Sequence, residues 1–191
     1  MRHFQIIGIA AALAGAMSAQ EFRLGSKVSD FGLRSTSGEA VQFASLKGPV
    51  TVITFVSTEC PVSNAYNERM ASLYNEYSGK GVKFVFINAN RTEPADKVAE
   101  HASKHFPFPV YKDEGNVVAD RFGATVTPEV FVMDKNGTVV YHGSIDDSQE
   151  PARVTQPRLK GALDSVLAGR TVATPESKAF GCTIKKAKKE S

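Results

Sequence analysis

The chain has no tryptophan and only two cysteines, Cys60 and Cys182, in 191 residues. Two cysteines are too few for a disulfide scaffold, so the fold has to rest on a packed apolar core. The composition permits one: 42% of the residues are hydrophobic and 23% charged, the ordinary balance of a soluble globular domain. Net charge is also scarce, at +3. Much of it lies in Lys185, Lys186, Lys188 and Lys189, with no aromatics interleaved, which reads as a solvated tail and gives no sign of a nucleic-acid partner. The chain has no internal repeat and no low-complexity tract. No apolar run is long enough for a stable membrane span.

The apolar run at the start has a different meaning. Arg2 and His3 open it, Ile6 to Met17 is uncharged and rich in Ile, Ala and Leu, and small residues follow. This is the pattern of a secretory signal over residues 1–19, with cleavage after Ala16 or Ala19. An uncleaved anchor is the competing reading. No cysteine follows the run, which argues against a lipoprotein anchor. The mature chain is therefore expected in the periplasm or outside the cell, where thiols are oxidised or redox-managed. There the two cysteines point to one bridge, or to a reactive thiol with a partner.

Beyond the leader, a domain is expected over 25–169 and a tail over 170–191. Phe31–Arg34 and Ala40–Phe43 flank a turn-rich stretch and read as an N-terminal hairpin. Val50–Val56 is a continuous apolar and β-branched run, the mark of a strand buried on both faces, and Val82–Ala89 reads as a second buried strand. Pro61–Tyr77 reads as a helix, with Pro61 at a first helical position and Tyr66, Met70, Leu73 and Tyr77 in one apolar stripe. Pro94–Phe106 reads as a second helix capped by Thr92. Phe108–Tyr111 reads as a short strand, and Asn116–Phe122 as a short helix ended by Gly123. Val130–Met133 and Thr138–His142 form a hairpin across Asn136-Gly137. Pro157–Leu167 is a last helix. Strands alternating with helices require a mixed sheet covered on both faces.

Cys60 stands where a strand ends and a helix begins, in Ser57-Thr58-Glu59-Cys60-Pro61-Val62-Ser63. Free N–H groups at that junction favour the thiolate, the nucleophilic form, for attack on a disulfide or peroxide. An inert buried cysteine or a structural bridge is the alternative. Thr127-Pro128 precedes a strand; a cis bond there would be a specific feature. Cys182 follows the last helix, and the span from Gly169 could reach about 43 Å at ~3.3 Å per residue, far enough to meet Cys60. A permanent bridge and a resolving cysteine both fit. Glu59 reads as exposed, although its charge would oppose a neighbouring thiolate. Asp146-Asp147 reads as a turn. Cys60, Cys182 and His142 could in principle form a soft copper site. His101 and His105 share one helix face without a third ligand nearby. No metal or cofactor is expected.

Three segments in order carry a family resemblance: Phe55–Asn64 around Cys60, Gly123–Val132 around Thr127-Pro128, and Tyr141–Asp147. Over roughly Gly25–Leu167 the chain resembles the redoxin branch of the thioredoxin-like superfamily, the alkyl hydroperoxide reductase/thiol-specific antioxidant group. The resemblance implies an α/β, three-layer thioredoxin-like fold with an N-terminal β-hairpin. It also implies an exported thiol–disulfide oxidoreductase acting on protein or small-molecule thiols and disulfides. Cys60 would be the nucleophile and Cys182 a resolving cysteine, Thr127 and Pro128 would shape a substrate groove, and Ser57, Glu59, Pro61 and Ser63 would support it. The sequence departs from the group twice. Ser63 stands where thioredoxins carry the second cysteine of Cys-x-x-Cys, which excludes resolution by that neighbour. Ser57 matches the Thr/Ser of the peroxiredoxin motif, but Ile53 stands at its proline. The alternative functions are a thiol peroxidase acting on peroxides, or a non-catalytic module with a Cys60–Cys182 bridge or bound copper.

Overall fold

The computed structural model describes residues 21–187. The proposed leader and Lys188–Lys189 lie outside the described residues. Two strands, β3 (Val50–Phe55) and β4 (Val82–Asn88), form the parallel centre of the sheet, in register from Val50↔Val82 to Phe55↔Ile87. The other neighbours are β1 (Gly32–Arg34), β2 (Ala40–Gln42), β5 (Val110–Lys112), β7 (Glu129–Met133) and β8 (Val139–Gly143). The order is β2-β1-β5-β4-β3-β7-β8, with β7 antiparallel to β3. The expected mixed sheet and N-terminal hairpin are both present.

Alternation along the central strands sorts two cores. Val52, Phe86, Val130 and Val132 face one side, where they meet α2 (Asn67–Tyr77), α3 (Ala95–His105) and α5 (Arg158–Leu167). Ile53, Phe55, Val85, Ile87 and Phe131 face the other, against α4 (Val117–Phe122) and the aromatic residues Phe22, Phe31 and Phe43. Every residue of β3 is buried, as its unbroken apolar run predicts.

Local details depart from the sequence reading. The helix expected over 61–77 is two: α1 (Pro61–Ala65) and α2, separated at Tyr66 (φ −96°, ψ −4°). Tyr66 turns inward there, and its hydroxyl donates to Asp146 Oδ1 at 2.7 Å. Thr92 does not cap α3; Pro94 holds that position, without a side-chain cap. Two short strands have no apolar run to announce them: β6 (Val126–Thr127) and β9 (Cys182–Thr183), paired antiparallel with Thr127 opposite Cys182.

Candidate active site

Cys60 is the N-cap of α1 and is 2% exposed. Its placement follows from the chain on either side: β3 ends at Phe55, the 57–59 loop turns, and Pro61 starts the helix at a position that needs no N–H. The Ser63 N–H points at Cys60 Sγ, 3.3 Å away, and Sγ lies 3.5 Å from the Thr127 carbonyl oxygen. Ser63, at the position of the missing second cysteine, is fully buried, and its Oγ accepts the Ser57 N–H at 3.1 Å. The residue that a Cys-x-x-Cys protein would use for chemistry is here used to brace the loop.

Cys60 is bonded to Cys182, 122 positions further along the sequence, with Cα atoms 5.8 Å apart. Both cysteines of the described chain are in this bond. The Thr127-Pro128 peptide is cis. The strand edge at Thr127, expected as a substrate groove, is occupied by the chain's own tail.

The tail reaches this place along a fixed path. Val172 is buried in the core under α5, and residues 175–177 add to β8, with His142 N–H donating to Pro175 O and Ser177 N–H to His142 O. Phe180 packs edge-on against Tyr66, and Ile184, 3% exposed, enters the opposite core. Past the disulfide, Lys185 N–H donates to Asn90 Oδ1 at 2.7 Å, Arg91 N–H donates to Lys185 O at 2.9 Å, and Ala187 N–H donates to Asn116 Oδ1 at 2.6 Å. Lys185 joins this clasp through its backbone and Lys186 through an ion pair with Asp120, while both side chains stay exposed, as a solvated tail requires.

Glu93, in the polar segment Arg91-Thr92-Glu93-Pro94, carries no motif that marks it as part of the site. It is 2% exposed beneath the Cys60 loop. Its carboxylate accepts from Ser57 Oγ at 2.5 Å, Thr58 N at 2.6 Å, Thr58 Oγ1 at 2.7 Å and Asn88 Nδ2 at 2.6 Å. Ser57 Oγ in turn accepts the Cys60 N–H at 3.0 Å. The buried Lys112 ammonium closes the network, donating to Asn88 Oδ1, Asn90 O and Glu93 O. Burial opposes the charge on Glu93, but the bonds from Ser57, Thr58 and Asn88 outweigh it and hold the carboxyl below its ordinary pKa. Burial likewise lowers the pKa of Lys112, against the pull of Glu93 and Asp113.

A carboxyl with a lowered native pKa stabilises the fold fully above the ordinary glutamate range, about 4.3, and loses that contribution as pH falls through the native value. Glu93→Gln is therefore expected to cost about 1–3 kcal/mol near neutrality, with the deficit shrinking in acid. Urea unfolding of both proteins at neutral and acidic pH checks this. An equal deficit at both would contradict it.

The remaining candidates separate. Glu59 is exposed, as expected. Asp146 is buried and accepts from Tyr66 and from Arg69 Nη1, whereas Asp147 serves the turn. The Thr155 hydroxyl, with the Gln156 N–H, holds the Asp147 carboxyl at about 2. His142 Nε2 lies 2.7 Å from Glu129 Oε1, and its ring stacks on Phe131. His101 lies against His105, and its Nε2 is 3.0 Å from Asn64 Oδ1; burial lowers its pKa first, and His105 adds to the effect.

A mixed sheet with a cysteine at a strand-to-helix turn, set against a cis-proline, defines a thioredoxin-like fold. Residues 24–142 match the AhpC/TSA family, and the chain belongs to that family. The thiol-disulfide oxidoreductase ResA of Halalkalibacterium halodurans is 29% identical over 119 residues, covering 62% of this chain and 66% of that protein. The crystal structure of an uncharacterized conserved protein from Geobacillus kaustophilus superposes with TM-score 0.81 at 32% identity, covering 89% of this chain and 95% of that one. A putative thiol:disulfide interchange protein DsbE from Chlorobium tepidum shares the fold at TM-score 0.56 and 22% identity, over 63% of this chain and 84% of that one.

Proposed function

We propose that the chain is a cell-envelope thiol–disulfide oxidoreductase whose redox centre is the Cys60–Cys182 pair. The observation that carries this reading is the bond itself. A cysteine at a thiolate-favouring strand-to-helix turn is joined to the chain's other cysteine, in a sequence with no Cys-x-x-Cys neighbour to serve. The likeness to a protein named as a thiol-disulfide oxidoreductase supports it. Cys60 and Cys182 are its redox residues. Thr127 and Pro128 form the backbone edge against which the pair is held, and Ser57, Pro61 and Ser63 set the geometry of the Cys60 turn, with Glu59 at its exposed edge. The chain's partners are protein or small-molecule thiols and disulfides.

The leader-like residues 1–19 and the affinity of the chemistry for a redox-managed compartment support export to the periplasm or beyond. No helix among the described residues is long and apolar enough to cross a membrane.

Cys60→Ser is expected to reduce insulin-disulfide reduction, whose cycle needs both cysteines, to the uncatalysed background. Wild-type turnover in that variant would overturn the reading.

A further inference from the structure

The two sulfurs of the pair are not equivalent. Cys60 is 2% exposed, with the Ser63 N–H on one side of its sulfur and the Thr127 carbonyl on another. Cys182 is only half-buried, and Gly181 and Thr183 on either side of it are exposed. It lies on β9, which pairs with β6 in a two-stranded sheet apart from the main one. Displacement at a disulfide needs the incoming thiolate to approach the attacked sulfur from behind, along the S–S axis. Which sulfur reacts is therefore set by access and by the quality of the leaving thiolate. For attack on Cys60, the approach runs through packed protein. Cys182 is the less buried end of the bond, and attack there expels the sulfur that receives the Ser63 N–H.

We propose that Cys182 is the substrate-facing cysteine and that Cys60 is its internal partner. This assignment rests on the exchange function proposed above and specifies its order. A substrate thiolate attacks Cys182 Sγ. The Cys60–Cys182 bond breaks, a substrate–Cys182 bond forms, and the electron pair leaves on Cys60 as a thiolate. A second substrate thiolate then attacks the substrate sulfur of that mixed disulfide. The substrate leaves as a disulfide, and Cys182 leaves as a thiolate that takes a proton from solvent. The substrate is oxidised by two electrons and the pair is reduced to the dithiol. In the reverse direction Cys182 attacks the substrate disulfide, and the Cys60 thiolate attacks Cys182 to close the pair, so Cys60 remains the nucleophile of the internal step.

The tail's path suits this order. Its anchors on both sides of Cys182, at residues 175–177 and at Ile184–Ala187, do not involve the disulfide. They hold Cys182 beside Cys60 while the bond is open, which gives the closing step the advantage of an intramolecular reaction.

The test uses the oxidised full chain, exposed briefly to glutathione, quenched in acid and mapped by peptide mass. Glutathione on Cys182, with Cys60 left as a thiol, is the expected result. Glutathione on Cys60 would overturn the assignment while leaving the exchange function standing. No adduct and no loss of the disulfide at any glutathione concentration would overturn both. The single-cysteine variants give a second readout. Cys60→Ser, which retains Cys182, is expected to react with oxidised glutathione about tenfold faster than Cys182→Ser, which retains Cys60. Equal or reversed rates would overturn the assignment.

Discussion

Gly181→Ala is expected to lift the tail off the Cys60 site and to cost about 3 kcal/mol of stability. Gly181 sits at φ 151°, and a Cβ there would lie 1.9 Å from the Thr127 carbonyl oxygen and 2.7 Å from its carbon. Both atoms belong to the backbone of the cis-proline turn, so no side chain can swing aside. The pairing of β9 with β6 must break or shift, and Ile184, buried two residues past Cys182, loses part of its cover. Backbone strain of about 1–3 kcal/mol and the loss of a buried isoleucine worth about 1.5–3 kcal/mol set the scale. Gly161 in α5 is the control: a Cβ there meets nothing within 4 Å, and alanine is expected to stabilise the helix by about 0.5–1 kcal/mol. Urea unfolding of the two variants, with alkylation of Cys60 in the native state, measures both effects. A stable Gly181→Ala protein with an intact disulfide would show that the tail tolerates a looser path.

Opening the Cys60–Cys182 bond is expected to remove about 4–5 kcal/mol of stability, because the bond closes a loop of more than a hundred residues in the unfolded chain. Oxidised wild type should therefore unfold at clearly higher denaturant than Cys182→Ala. Reduced wild type should match the variant. The reduced protein is nonetheless expected to remain folded, since Val172, residues 175–177, Ile184 and Lys185 hold the tail through contacts that reduction leaves in place. A reduced protein that unfolds outright under native conditions would mean that the bond, and not these anchors, secures the tail.

Most of the fold was legible because its signals are local. The apolar and β-branched run of β3, the Asn-Gly turn between β7 and β8, and Gly123 after α4 each state their structure within a few residues. Cys60 was legible for the same reason: strand, turn and Pro61 adjoin it. The site's other half was not. Cys182 sits in a two-residue strand paired with Val126–Thr127, and neither segment has a periodicity to read. Glu93 escaped because its burial depends on Ser57 and Thr58, distant in sequence, arriving over it when β3 pairs with β4. The break at Tyr66 depends likewise on Asp146, which only the finished fold brings near. A polar residue whose partners are remote reads as solvated until the strands are placed.

The Cys60–Cys182 bond is expected to open and close in the folded protein. The direct measurement is equilibration of the native chain in glutathione buffers of graded ratio, with thiol alkylation counted by mass and folding followed by circular dichroism. The expected result is reversible conversion between a form with both cysteines bonded and a form with both alkylated, while the folded signal persists. A bond that yields to reductant only when the chain unfolds would make the pair a permanent brace and contradict the claim.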